Sequence, residues 1–215
     1  MSTSTEAPAA PAPEIADPAP LGLAAFALTT FLLSAINAGW AKTSTGGAWW
    51  GYAIAYGGIA QLLAGMWEFR NKNVFGATAF STYGGFWIGV GLWLHFIAPT
   101  ASATNLVALN RDLGWIVLAF LIFNTYMLII STQLNWAVFG VFFTLEITEI
   151  FLVIGNFTTK TPALPPNPTN SSMIMIGGII GIVTAVVAWY TSAAGVMNGL
   201  KGRQVFPVGK PLFTL

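Results

Sequence analysis

Asp17-Pro18-Ala19-Pro20-Leu21-Gly22-Leu23 is where the chain changes character. Before it, Met1 to Ala16 is rich in Ala, Pro, Ser and Thr, with Glu6 and Glu14 but no Lys or Arg. That stretch lacks the basic start of a secretory signal and reads as a disordered tail. After it, the sequence stays apolar for a bilayer's thickness, which takes roughly 20 helical residues. Asp is a good N-cap, because its carboxylate accepts from N–H groups that the first turn leaves unpaired. Proline suits the first helical position, where its missing N–H would be orphaned anyway. The stretch therefore predicts a helix capped by Asp17, with Pro18 at its first position, beginning at a membrane surface. Such a start directs the positive end of a helix dipole at the entrance, a favourable place for an anion; an ordinary cap accounts for the same residues.

The rest of the composition fits that beginning. Of 215 residues, 55% are hydrophobic and 7% charged, and the mean hydropathy is +0.72. A soluble domain carries about 25% charged residues, so this chain cannot clothe a water-facing surface in the usual way. The formal net charge of +1 gives no reason to expect a nucleic-acid partner. The absence of Cys excludes disulfides, thiolate nucleophiles and Cys-based metal sites.

Six apolar stretches are long enough to span lipid: Leu21–Trp40, Ala48–Phe69, Phe75–Ile97, Leu113–Ser131, Leu134–Phe157 and Met173–Gly199. The breaks carry turn chemistry and charge, namely Lys42 to Gly47, Arg70 to Asn73, Pro99 to Asp112 and Thr161 to Ser172; the break near Thr132-Gln133 is short and uncharged. The expected organisation is a tail over 1–16, an all-α membrane domain of six transmembrane helices over 17–204, and a C-terminal tail over 205–215. With both termini cytoplasmic, Arg70, Lys72, Lys201, Arg203 and Lys210 lie inside, and Lys42, Arg111 and Lys160 outside. That bias has the sign of the positive-inside rule. Trp40, Trp49, Trp50, Trp67, Trp93, Trp115 and Trp136 fall near span ends, as an aromatic belt would. Gly177-x-x-x-Gly181, Gly195-x-x-x-Gly199, Gly84-Gly85 and Gly89-x-Gly91 permit close helix approach, within one chain or between subunits.

Chemistry is sparse. The single histidine, His95, reads as packing or interfacial rather than catalytic, and no metalloprotease, nucleophile-elbow or P-loop pattern occurs. The expectation is no enzyme, no cofactor and no metal. Three carboxylates lie in or near spans, where charge is costly and turns to a cavity or a partner. Glu68 sits beside Arg70 and Lys72 and suits an interfacial ion pair. Glu146 and Glu149 are three residues apart in the fifth span, on neighbouring helix surface. Two carboxylates that close in a low dielectric cannot both carry charge cheaply, which suits a proton-carrying site; a polar contact with another helix or subunit suits them equally. Thr30, Ser34 and Asn37 form one stripe of the first helix. Gln61, Thr78, Asn124 and Asn156 add polar groups to later spans.

Several stretches together resemble the acetate uptake transporter family, the succinate-acetate permease group. They are the opening heptad, Gly57-Gly58-Ile59-Ala60-Gln61, Ala64-Gly65-Met66-Trp67-Glu68-Phe69, Asn73 through Trp87, Ile154-Gly155-Asn156 and Val205-Phe206-Pro207-Val208-Gly209. The resemblance covers about residues 17 to 210. It implies a urea-channel-like six-helix protomer in a homohexamer in the cell membrane, with a path for acetate, and for succinate, in each protomer. It places an apolar constriction at Phe26, Tyr83 and Leu145, and a residue influencing substrate size at Ala188. It makes Asp17, Pro18, Pro20 and Gly22 an entrance motif, with Asp17 where the family has Asn.

The resulting expectation is passage of a small monocarboxylate, with Thr30, Ser34, Asn37, Gln61, Thr78 and Asn156 hydrogen-bonding the solute. Glu68, Glu146 and Glu149 are the candidates for proton coupling, which the sequence leaves open. A channel for a neutral solute, urea or undissociated acetic acid, and a non-transporting membrane sensor are the alternatives.

Overall fold

The computed structural model describes residues 15–41, 49–160 and 171–213, and all regular structure among them is helical. The 1–16 tail, the Lys42–Gly47 break and the Pro-rich connection after Thr161 fall wholly or largely outside those residues. Six helical segments follow one another. α1 is Ala19–Asn37. α2 runs from Trp50 to Arg70, α-helical over Trp50–Tyr52, π-helical over Ala53–Ala60 and α-helical over Gln61–Arg70. α3 is Val74–Leu92, extended by a π stretch, Trp93–Ile97, and a 3₁₀ turn, Ala98–Thr100. α4 is Leu106–Ser131, α5 Trp136–Thr158 and α6 Ser172–Lys201. α1, α4, α5 and α6 are each long and apolar enough to cross a hydrocarbon core; α2 is assembled from shorter pieces, and α3 is a 19-residue helix extended by its π and 3₁₀ turns.

The helix ends follow from local chemistry. Asn73 caps α3 and Asn135 caps α5, their side-chain oxygens accepting from Gly76 N–H at 3.1 Å and Val138 N–H at 2.9 Å. Between α2 and α3 the chain reverses in three residues. Lys72 takes the left-handed conformation (φ 58°), and the Asn73 N–H closes back on the Glu68 carbonyl at 3.0 Å. α4 starts seven residues before the expected Leu113. Arg111 and Asp112, whose charge suggested a loop, sit inside its second turn.

α1 is the hub, packing chiefly on α6 and also on α2 and α3, while α6 packs on α5 and α5 on α4. Close approach rests on glycines. A side chain at Gly57 would strike Thr29 of α1, one at Gly178 the backbone of Asn37 and Ala38, and one at Gly181 the Ser34 hydroxyl. Gly195 faces Pro20, so both glycine pairs of α6 serve packing within the chain, except Gly199, which has nothing nearby. Gly85 and Gly89 likewise face open space.

Much of the outer surface is apolar, including Leu63, Met66, Ile122, Ile129 and Val186. Trp40, Trp67, Trp115 and Trp136 are exposed as a belt requires. Trp49 departs from that expectation: it is buried against Trp87 and Val90 in a core cluster. His95 stacks on Trp50 at 4.0 Å between centroids, in keeping with a packing role. The segment after Lys201 lies against the bundle: Leu212 N–H donates to the Thr132 carbonyl at 2.8 Å and Ala137 N–H to the Val208 carbonyl at 3.0 Å.

Candidate functional site

Two cavities lie toward opposite ends of the bundle. The one at the terminal face, about 300 Å³, is bounded by Asp17 and Leu23 of the α1 start, Gln61 of mid-α2 and Asn71 just past its end, Asn73 and Phe75, and Asn135 and Val138 of the α5 start. The far cavity, about 70 Å³, is lined by Thr30, Ser34 and Asn37 of α1, Trp87, Val90 and Leu94 of α3, Asn110 and Leu113 of α4, and Thr148, Glu149 and Asn156 of α5. Three residues line both: Phe26, Tyr83 and Leu145. They come from α1, α3 and α5, and all are buried. Phe26 meets Tyr83 edge to face, 5.6 Å between centroids at 60°.

The Thr30, Ser34 and Asn37 stripe faces a single cavity, as its spacing requires. Beside it several buried polar atoms have no partner: Thr30 Oγ1, Trp87 Nε1, Glu149 Oε2 and Asn156 Oδ1. The first two can donate and the last two accept. Among the described residues, no Lys, Arg or His lines this cavity.

Glu146 and Glu149, adjacent in sequence pattern, part company in space. Glu149 turns to the far cavity, whereas Glu146 is held by Asn124 Nδ2 at 2.7 Å and Thr125 Oγ1 at 2.8 Å and lines neither cavity. Glu68 is fully buried. Its Oε2 accepts from Asn71 Nδ2 at 3.1 Å and its Oε1 has no partner, so Asn71 takes the place expected of Arg70 or Lys72.

The opening heptad starts its helix one residue later than expected. Pro18 is the N-cap, Ala19 and Pro20 are the first helical residues, and Asp17 Oδ1 accepts the Ala19 N–H at 2.9 Å. A proline cap has no acceptor side chain, so the residue before it supplies one. Asp17 lines the terminal mouth, while Pro20 and Gly22 serve packing: the Pro20 carbonyl accepts the Ser192 hydroxyl at 2.6 Å, and Gly22 sits on the Phe80 ring.

Gln61 lines the terminal cavity with its Oε1 unpartnered. Thr78 lines neither cavity; its hydroxyl donates to the Val74 carbonyl at 2.8 Å, as helical threonines often do. Ala188 is fully buried, in one core cluster with Phe26, Tyr83 and Leu145. Asn110, Thr148 and Trp87 reach the far cavity without being anticipated. Asn110 was hidden by its charged neighbours, and an isolated Thr or Trp in an apolar span gives no signal.

These features define a helical membrane protein whose bundle holds two cavities that both touch Phe26, Tyr83 and Leu145. The chain belongs to the GPR1/FUN34/yaaH family, whose profile matches residues 2–209. It is 38% identical over 201 residues to acetate permease A of Emericella nidulans, covering 91% of this chain and 66% of that protein. It is 35% identical over 199 residues to the succinate-acetate/proton symporter SatP of Escherichia coli, covering 92% of this chain and 97% of that one. The chain thus spans just under two thirds of the fungal relative. Among solved structures it is similar to the bacterial acetate channel SatP, with a TM-score of 0.79 and 32% identity over 91% of this chain and 100% of that chain.

Proposed function

We propose that the chain passes acetate and similar small carboxylates across the cell membrane, one path per protomer, narrowed at Phe26, Tyr83 and Leu145. One observation carries the reading: among the described residues, cavities at opposite ends of the bundle share those three side chains and no others. The names of the fungal permease, the bacterial symporter and the bacterial channel support the same solute class. In this reading α2 and α3 cross the membrane as the other four helices do, with both termini cytoplasmic. The protomers form a homohexamer, to which the open surface at Gly85 and Gly89 is suited. An apolar ring disfavours a continuous hydrated ion column and admits a methyl group. Gln61 on one side, and Thr30, Ser34, Asn37 and Asn156 on the other, bind the carboxyl group, and Ala188 limits the space behind the ring. Asp17 stands at the entrance.

A specific observation favours the undissociated acid over the bare anion in the far cavity. Its unpartnered atoms include both donors and acceptors, matching an acid's C=O and O–H, and Glu149 is placed to exchange the proton. Glu68 and Glu146, outside both cavities, act through neighbours in this scheme. Nothing in the pathway calls for catalysis, a cofactor or a metal.

Uptake of labelled acetate into proteoliposomes, with and without a pH gradient, tests the proposal. Uptake above empty vesicles, stimulated by an inward proton gradient, is expected. Absence of uptake overturns the transport reading, and indifference to the gradient overturns the role given to Glu149. Bilayer recording separates the two forms, because passage of the neutral acid moves no charge.

A further inference from the structure

The Tyr83 hydroxyl donates to Asn124 Oδ1 at 2.8 Å, and that bond is the first link of a chain crossing three helices. Asn124, on α4, is fully buried. Its Nδ2 donates to the Phe142 carbonyl at 3.0 Å and to Glu146 Oε2 at 2.7 Å, and the Thr125 hydroxyl holds Glu146 Oε1 at 2.8 Å. With both amide N–H groups committed to acceptors, the amide cannot flip, and only its oxygen faces Tyr83. Tyr83 is therefore the donor and has no proton to offer a solute.

The ring's other neighbours, Phe26, Phe120, Phe123 and Phe142, meet it at centroid separations of 5.4 to 6.5 Å. Such contacts tolerate sliding and tilt, whereas a short hydrogen bond fixes the depth and direction of the phenol. Asn124 and Glu146 line neither cavity, so any effect they have on the path is transmitted through Tyr83.

We propose that Asn124 is the positioning residue of the constriction, and that Asn124, oriented by Glu146, sets how sharply the path discriminates between small carboxylates of different length. The proposal rests on the reading of Phe26, Tyr83 and Leu145 as the narrowest part of a carboxylate path.

The test compares initial uptake of labelled acetate and labelled butyrate, at one fixed pH, by the full chain in proteoliposomes. Asn124→Leu and Tyr83→Phe each remove the same bond. Each is expected to lower the acetate-to-butyrate ratio about fivefold, the effect of one ordinary hydrogen bond. The double variant should fall no further, because the two substitutions act on one interaction. Glu146→Leu, which leaves the amide in place but frees its orientation, should give a smaller fall in the same direction. A wild-type ratio in Asn124→Leu, or effects of the two single substitutions that multiply, overturns the proposal. If Asn124→Leu does not fold, a wild-type ratio in both Tyr83→Phe and Glu146→Leu does so. Absence of uptake by the unaltered chain overturns the transport reading and this proposal with it, whereas uptake with unchanged discrimination in the variants overturns this proposal alone.

Discussion

Shortening Leu145 to alanine tests the ring at its simplest member. Leu145 is 6% exposed, with Phe26, Tyr83, Phe142 and Ala188 in its core cluster. In an enclosed core, Leu→Ala costs about 2–5 kcal/mol, and the upper part of that range comes from the cavity left behind. Here the vacated space opens onto cavities of about 70 and 300 Å³ that already exist, so water or solute fills it. The expected loss is accordingly near the lower bound, about 2 kcal/mol, from transfer of the removed carbons alone. For passage the same atoms matter more. A methylene's fit in an apolar site is worth about 1–3 kcal/mol, or roughly 10–200-fold in discrimination. Leu145→Ala should therefore raise butyrate uptake relative to acetate at least about tenfold, the lower end of that span. The assay is initial uptake of both labelled acids into proteoliposomes, with thermal unfolding in detergent measured alongside. A folded variant that still rejects butyrate like the unaltered chain would refute the reasoning, because Leu145 would then not bound the path.

Other outcomes follow from the packing and charge. Gly57→Val should destabilise the chain by about 1–3 kcal/mol, since the new side chain would strike Thr29 where α2 meets α1; thermal unfolding in detergent reads it. Asp17→Asn keeps an acceptor for the Ala19 N–H and removes a negative charge from the terminal mouth. Acetate uptake at low ionic strength should rise about twofold, the effect of one charge acting across about 10 Å of water, and the difference should vanish in concentrated salt. Glu149→Gln should preserve acetate uptake driven by a concentration gradient while abolishing its stimulation by an inward proton gradient, and stimulation that persists would remove Glu149 from the proton's route.

The fold was legible in the sequence where one physical signal dominated. Apolar runs punctuated by Asn, Gly, Pro and charge placed all six helical segments, and the Thr30, Ser34 and Asn37 stripe needed only helical geometry to be assigned to one cavity. Boundaries failed where local signals conflicted. Arg111-Asp112 looks like a loop, yet the helix carries those charges in its second turn while Asn110 turns inward to the far cavity. Thr78, in the same run as Tyr83, satisfies its hydroxyl on its own helix, a local choice that residue type does not reveal. The Phe26, Tyr83 and Leu145 ring came from resemblance. No spacing rule joins residues from three separate helices.

The two carboxylates of α5 show what such a rule leaves out. Residues three apart are neighbours on an isolated helix, so Glu146 and Glu149 read as a pair that would compete for charge. In the bundle each side of α5 meets different surroundings: one faces α4, where Asn124 and Thr125 wait with donors, and the other faces a cavity whose donors leave Glu149 Oε2 unbonded. The same roughly 60° of helix surface between them that suggested a proton-carrying site separates a carboxylate anchored among side chains from one facing a cavity. Which of the two faces the cavity is decided by α4, the segment just before α5, and by α1, far away in sequence. Glu146, with both oxygens held, is fixed by its neighbours, whereas Glu149 combines an empty acceptor with a place on a cavity wall, which Glu68, also with an empty acceptor, lacks. Functional assignment of paired acids in a membrane helix therefore depends less on their spacing than on an inventory of donors contributed by the helices on either side.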